Sequence, residues 1–174
     1  QLATLPLAAM KLIQDDIHVT GITGSTGAGR KLSETTHFSY RNSNNSVYKP
    51  FTHQHLAEIL MTLNKLSGTD QKMNFIPVRG DFARGIFASI HTKCDMNEAE
   101  AVALYKEYYK SSPFVHVSDA PISMKEVVNT NKALLHVEMH NGYIHITSII
   151  DNLLKGASGQ AVENMNLMFG FNRT

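Results

Sequence analysis

Residues 133–150 constrain the fold more than any other stretch. Ala133-Leu134-Leu135-His136-Val137-Glu138-Met139 and Tyr143-Ile144-His145-Ile146-Thr147-Ser148-Ile149-Ile150 are strand-like runs on either side of Asn141-Gly142. An Asn-Gly pair takes positive φ at both central positions of a type I′ turn, and the twist of that turn suits two antiparallel strands. A hairpin of this length needs further strands and a packed face to be stable in water. Residues 17–22, 72–78, 85–93 and 114–117 read as the other strands. Helical patterns fall at 2–13, where Pro6 fits only in the first turn, at 52–66, at 97–110, and after 161. The helix at 97–110 opens on Asn97-Glu98-Ala99-Glu100 and presents Ala101, Leu104, Tyr105 and Tyr108 as its buried stripe. Residues 37–41 read as a strand edge running into the turn Asn42-Ser43-Asn44-Asn45. The fold class is therefore α+β: a mixed, mostly antiparallel sheet with helices on one face.

The 174 residues suffice for one well-buried domain. Sixteen Lys and Arg against fifteen Asp and Glu, with no basic block, disfavour nucleic acid and anionic membranes as partners. No apolar run is long enough to span a bilayer. Cys94, the single cysteine, has no internal disulfide partner, which suits a reducing compartment and a cytoplasmic location. The chain begins without methionine inside a helical pattern, as a segment cut from a longer protein would.

Four stretches carry candidate chemistry. Thr52 can cap the helix that follows Tyr48-Lys49-Pro50-Phe51, which sets His53 and His55 at its mouth, where they can transfer protons. Glu58, one turn beyond His55, is placed to orient that ring. A polar helix start whose histidines only satisfy loop carbonyls is the competing reading. Thr23-Gly24-Ser25-Thr26-Gly27-Ala28-Gly29-Arg30 is a glycine- and hydroxyl-rich loop closed by a guanidinium, suited to a phosphate or carboxylate, or else a plain turn. It is neither a dinucleotide fingerprint nor a P-loop. Arg79 and Arg84 flank a strand junction and can grip an anion. The small residues at 156–161 admit a flat ligand or a neighbouring backbone. A metal site at His53 and His55 lacks an evident third ligand, and His136, His140 and His145 read as a solvent face, so no metal is assigned.

Together these stretches resemble the N-acetyl-γ-glutamyl-phosphate reductases. The likeness rests on the 23–31 loop, on His53-Gln54-His55-Leu56-Ala57-Glu58-Ile59, on Arg84-Gly85-Ile86, and on Asp151-Asn152-Leu153-Leu154-Lys155-Gly156-Ala157-Ser158-Gly159-Gln160-Ala161-Val162 with Asn164-Met165-Asn166-Leu167-Met168-Phe169-Gly170. It covers nearly the whole chain. The resemblance implies an oxidoreductase of arginine biosynthesis. Such an enzyme reduces an N-acylglutamyl phosphate to the semialdehyde with NADPH, through a cysteine thioester. It also implies a fold like the C-terminal domain of glyceraldehyde-3-phosphate dehydrogenase, forming a homodimer or homotetramer. By the same resemblance His53 or His55 is the acid/base, with Glu58 behind it. Thr23, Thr26, Gly27, Arg30 and Arg84 hold the substrate, and Asn152, Gly156 and Gly159 lie against the nicotinamide.

Two departures matter. The family's Asn-Pro-Gly-Cys-Tyr-type motif, expected just before the first helix, is absent, and Cys94 in Lys93-Cys94-Asp95 is no substitute. Residues 1–174 thus read as the substrate-binding and dimerisation domain, without the N-terminal Rossmann domain that binds most of NADP, and inactive alone. In addition, His-Arg-His-x-Pro-Glu-Ile appears as His53-Gln54-His55-Leu56-Ala57-Glu58-Ile59, without its arginine and proline. An aspartate-semialdehyde-dehydrogenase-like enzyme and a non-catalytic dimerisation module are the alternatives.

Overall fold

The computed structural model describes residues 1–173. Its strands are β1 (Ile17–Thr23), β2 (Ser46–Val47), β3 (Met73–Arg79), β4 (Ile86–Lys93), β5 (Val115–Ser118), β6 (Ala133–His140) and β7 (Tyr143–Ile150). They form one sheet in the order β2-β3-β1-β4-β7-β6-β5. β1 with β3 and β5 with β6 are parallel, and the remaining pairs are antiparallel, so the sheet is mixed and mostly antiparallel. The β6–β7 hairpin forms as the sequence dictates: Asn141 and Gly142 have φ of 49° and 81°, and the strands pair from Ala133–Ile150 to His140–Tyr143.

The helices are α1 (Leu5–Ala9), α2 (Phe38–Arg41), α3 (Leu56–Ser67), α4 (Glu98–Tyr109) and α5 (Gly159–Phe169). α1, α3 and α4 pack together over one sheet face, where Ile17, Ile90, Leu135, Val137, Ile144 and Ile146 are buried. Each such side chain contributes about 1.5–3 kcal/mol on leaving water. α4 starts on a capping box, with the Glu100 amide donating to Asn97 Oδ1 (2.9 Å) and the Asn97 amide to Glu100 Oε2 (3.2 Å). Its buried stripe is Ala101, Tyr105 and Tyr109, so Tyr109 replaces the expected Tyr108. The reason is the segment leading into α1: the Tyr109 hydroxyl donates to the Leu2 carbonyl (2.5 Å) and the Tyr105 hydroxyl to the Ala3 carbonyl.

Three sequence boundaries shift. α1 is shorter than 2–13, carries Pro6 in its first turn, and stops before Lys11, whose φ is 57°. Residues 38–41 form the short helix α2 rather than a strand edge. The buried Arg41 explains this, because its guanidinium donates to the carbonyls of Thr35, Asn44 and Arg79 and to Ser46 Oγ, folding the excursion back onto β3. Finally, α3 begins at Leu56, not Thr52. Lys49 and Phe51 have φ of 45° and 58°, a tight turn that helical geometry cannot follow until His55. No described helix is long and apolar enough to cross a membrane.

Candidate active site

A cavity of about 790 Å³ opens on the helix-bearing face, at the end of the sheet where β1 ends and β4 begins. Its floor is Val19, Gly21, Phe75, Ala88 and Ile90, which the strand register sets on one face. Its rim draws on four distant segments: Thr4 near α1, the 26–29 turn, the 48–55 turn, and residues 152–157 after β7.

The 48–55 turn brings His53 and His55 to the cavity. His53 packs edge-on against Phe75 (5.2 Å between ring centres), Tyr48 (5.7 Å) and His55 (4.9 Å). Burial, then His55, Lys49 and Arg79, hold its pKa below the ordinary histidine value. The His55 amide donates to His53 Nδ1 (3.3 Å), which leaves Nε2 as the nitrogen free to exchange a proton. His55 also lines the cavity but is exposed. Glu58 does not orient either ring. Among the described residues no hydrogen bond or ion pair joins it to His53 or His55: both histidines lie ahead of the helix, which starts at Leu56, and the exposed Glu58 acts instead on the amino group of Gln1.

The glycine loop folds differently from an open anion nest. Residues Ser25–Ala28 form a 3-10 turn, and the amides of Gly24, Ser25 and Thr26 donate to the carbonyls of Gly85, Phe82 and Ala83. The Gly27 and Gly29 amides are satisfied within the turn. Thr23, Thr26, Gly27, Ala28 and Gly29 face the cavity, with Thr26 Oγ1 donating to the Ala83 carbonyl (2.6 Å). Arg30 is exposed beyond the turn and does not line the cavity.

Of the two arginines, Arg79 reaches the cavity. Its guanidinium lies 4.7 Å from the Tyr48 ring centre, donates to the Gly24 carbonyl (2.8 Å), and covers Gly27, where a Cβ would come within 2.8 Å of Nη1. The parity of β3 makes this so, since Arg79 shares the face of Phe75. Arg84 is instead committed to the fully buried Asp151 (2.9 Å) and lies outside the cavity lining. Asp151 also accepts from the amides of Asn129, Leu153 and Leu154, fixing the turn after β7.

That turn brings Asn152, Gly156 and Ala157 into the cavity wall. Asn152 is a brace: its Oδ1 accepts from the Gly85 amide (2.7 Å) and its Nδ2 donates to Thr26 Oγ1 (3.0 Å). Gly159 does not reach the cavity. It is small because Asn131 packs on it, with Oδ1 only 2.0 Å from where a Cβ would stand. Sequence reasoning missed Tyr48, Lys49 and Phe75 as cavity residues, and the odd–even parity of β3 is the signal that places Phe75 beside Arg79. No group of three or more metal-ligating side chains with suitable geometry occurs among the described residues.

Among the described residues, a mixed seven-stranded sheet carries helices on one face and, at one end of that face, a largely apolar cavity whose rim bears His53, Lys49 and Arg79. A family model described as "Semialdehyde dehydrogenase, dimerisation domain" matches residues 1–152, and the chain belongs to that family, a NAD(P)-dependent class whose description points to self-association. Among curated relatives, the chain is 54% identical over 175 residues to the N-acetyl-gamma-glutamyl-phosphate reductase of Phocaeicola vulgatus and 55% identical to that of Flavobacterium johnsoniae. Each alignment covers 100% of this chain and 54% of the relative, so the chain spans about half the length of the curated relatives it matches. Aspartate semialdehyde dehydrogenase II from Vibrio cholerae superposes with a TM-score of 0.68 at 16% identity, over 95% of this chain and 58% of that one. A probable aspartate-semialdehyde dehydrogenase from Pseudomonas aeruginosa gives 0.71 at 13%, over 94% and 57%. These two establish the shared fold.

Proposed function

We propose that this chain is the substrate-binding and dimerisation half of a cytoplasmic reductase. That enzyme takes N-acetylglutamyl 5-phosphate to N-acetylglutamate 5-semialdehyde with NADPH. The observation that carries the reading is the convergence of His53, Arg79 and Lys49 on one cavity that also includes Gln1 and Thr4. In the family the cysteine motif immediately precedes the helix matching α1, so a thiolate carried there is delivered to this cavity. A cysteine nucleophile divides acyl substitution into two easier steps.

The chain's own residues have distinct tasks. Arg79 and Lys49 attract the substrate's anionic groups, and the Tyr48 face keeps the Arg79 fork in place. His53, uncharged at neutral pH, exchanges a proton at Nε2 with the reacting acyl oxygen or the thiol. Phe75 and the apolar floor exclude water from that exchange. Thr23, Thr26 and Gly27 shape the wall beside Arg79. Gly156 and Ala157 fit a flat nucleotide ring, since neither puts bulk into the cavity and the neighbouring Asn152 is braced. NADP would be held there and by the partner half, and supplies hydride when bound. Arg84 and Gly159 take supporting rather than contact roles.

Joining the chain to its N-terminal half and following NADPH oxidation with N-acetylglutamyl phosphate tests the reading. Turnover is expected, and His53→Gln should lower kcat by about 10²–10⁴-fold with little change in KM. Turnover with aspartyl phosphate but not with N-acetylglutamyl phosphate would overturn the assigned substrate.

A further inference from the structure

The chain after β7 turns more widely than an α-helix does. Over Leu154–Ser158 it makes a π turn, in which the amides of Gly156, Ser158 and Gly159 each donate five residues back, to the carbonyls of Asp151 (2.9 Å), Leu153 (3.0 Å) and Leu154. Ser158 Oγ adds a second bond to the Leu153 carbonyl (2.8 Å). Such turns are rare, occur mostly singly, and are frequent at functional sites. Gly156 and Ala157 of this turn line the cavity, whereas Lys155, next to them in the chain, does not.

Lys155 is instead drawn into the protein. Its side chain is 6% exposed, its Nζ donates to Glu163 Oε2 on α5 (2.6 Å), and it lies 5.4 Å from the ring centre of Phe114, just ahead of β5. Glu163, 5% exposed, also accepts from Arg173 (2.5 Å). Burial pushes the Glu163 carboxyl up, but Lys155 and Arg173 outweigh it and its pKa is lowered overall, so the group is charged at neutral pH. The proposed reaction uses none of these three charges. A buried ion pair seldom stabilises more than apolar packing of the same volume, and its best-attested use is to fix a register.

We propose that Lys155 is a positioning residue for the nicotinamide: held by Glu163, it keeps the turn in π register, so that Gly156 and Ala157 form the wall on which the ring lies. The inference rests on the proposed reductase reading, which puts NADP at that wall. Register decides what the wall is made of. In an α turn the amide reaching the Asp151 carbonyl would be that of Lys155, four residues on rather than five. Each residue would then take the place of the next, with Lys155 where Gly156 is and Gly156 where Ala157 is. A long cationic side chain would occupy the space now left open by a glycine. The ion pair opposes that shift by keeping the Lys155 ammonium beside α5, and Asn131, packed on Gly159, fixes the far end of the turn.

Cofactor binding by the protein joined to its N-terminal half tests this. NADPH is followed by its fluorescence, and adenosine 2′,5′-bisphosphate serves as the probe that lacks a nicotinamide. Lys155→Met should weaken NADPH binding by about tenfold and leave both the bisphosphate affinity and KM for N-acetylglutamyl phosphate unchanged. Glu163→Gln, the variant to use should Lys155→Met not fold by circular dichroism, should give the same split. Arg173→Gln removes the other partner of Glu163 without touching the turn, and should bind both ligands as the wild type does. Unchanged NADPH affinity in the Lys155 and Glu163 variants overturns the proposal. A parallel loss of both ligands also overturns it, because a general disturbance of the fold would weaken them together. An equal loss in Arg173→Gln overturns the assignment to the π turn. A wild-type protein that binds NADPH but does not turn over N-acetylglutamyl phosphate overturns the proposed reaction alone, since the binding split is read without turnover.

Discussion

His53 owes its chemistry to neighbours, and that makes its titration a test of the site. Burial lowers its pKa first, and His55, Lys49 and Arg79 lower it further by opposing a second positive charge. Neutral His53 is the form above that pKa, so the acid limb of kcat/KM in the joined protein should fall below pH 6.5. Arg79→Gln removes one opposing charge, so the limb should move upward, with KM rising as the anion loses its partner. A limb that stays put while KM rises would separate substrate binding from the His53 environment. The sequence pointed to both histidines but ranked Arg84 above Arg79. Strand parity places Arg79 on the Phe75 face, whereas the partner of Arg84, Asp151, lies 67 positions away. Nothing local to Arg84 announces that commitment.

Among the elements, those whose signals are local were legible, and those fixed by distant backbone were not. The Asn141-Gly142 turn and the Asn97–Glu100 capping box need only their own residues. The 23–30 loop looked like a row of free amides because the carbonyls that satisfy it, at Phe82, Ala83 and Gly85, come from a segment nearly sixty residues on. That docking makes two glycines behave differently. At Gly24 a Cβ would stand 2.5 Å from the Ala83 carbonyl oxygen, a backbone atom that cannot step aside, so Gly24→Ala should destabilise by about 1–3 kcal/mol in urea unfolding. At Gly27 the obstacle is the end of the flexible Arg79 side chain, so Gly27→Ala should leave the unfolding midpoint nearly unchanged and raise KM several-fold. The turn after β7 allows a third check. Burial pushes the Asp151 carboxyl up, but Arg84 and three backbone amides outweigh it, and its pKa is lowered overall. Its stabilising effect is therefore complete above the unfolded value near ~3.9 and is lost as pH falls through the lower folded value. Asp151→Asn should cost about 3–5 kcal/mol at pH 7, because Arg84 then keeps a partly buried charge without its partner, and the difference from wild type should shrink in strong acid.

On the scale of the whole molecule, the position of Cys94 bears on the proposed thioester chemistry. On β4 the cavity lining runs from Ile86 to Ile90, and Cys94 lies four positions beyond it, roughly 14 Å at about 3.4 Å per strand residue. Its side chain is 1% exposed in the core beneath α1 and α4, and burial, then Asp95, raises its pKa. A buried thiol of raised pKa is a poor nucleophile. The native chain should therefore react with a disulfide reagent only at the rate of its unfolding, and should reduce no acyl phosphate alone. In the joined protein, Cys94→Ser should leave kcat unchanged, whereas loss of the cysteine preceding α1 should abolish it. Rapid native labelling of Cys94 accompanied by loss of turnover would place the thiolate inside this domain. The cavity would then be the wrong place to look for the reaction, because no strand of the sheet brings Cys94 to His53.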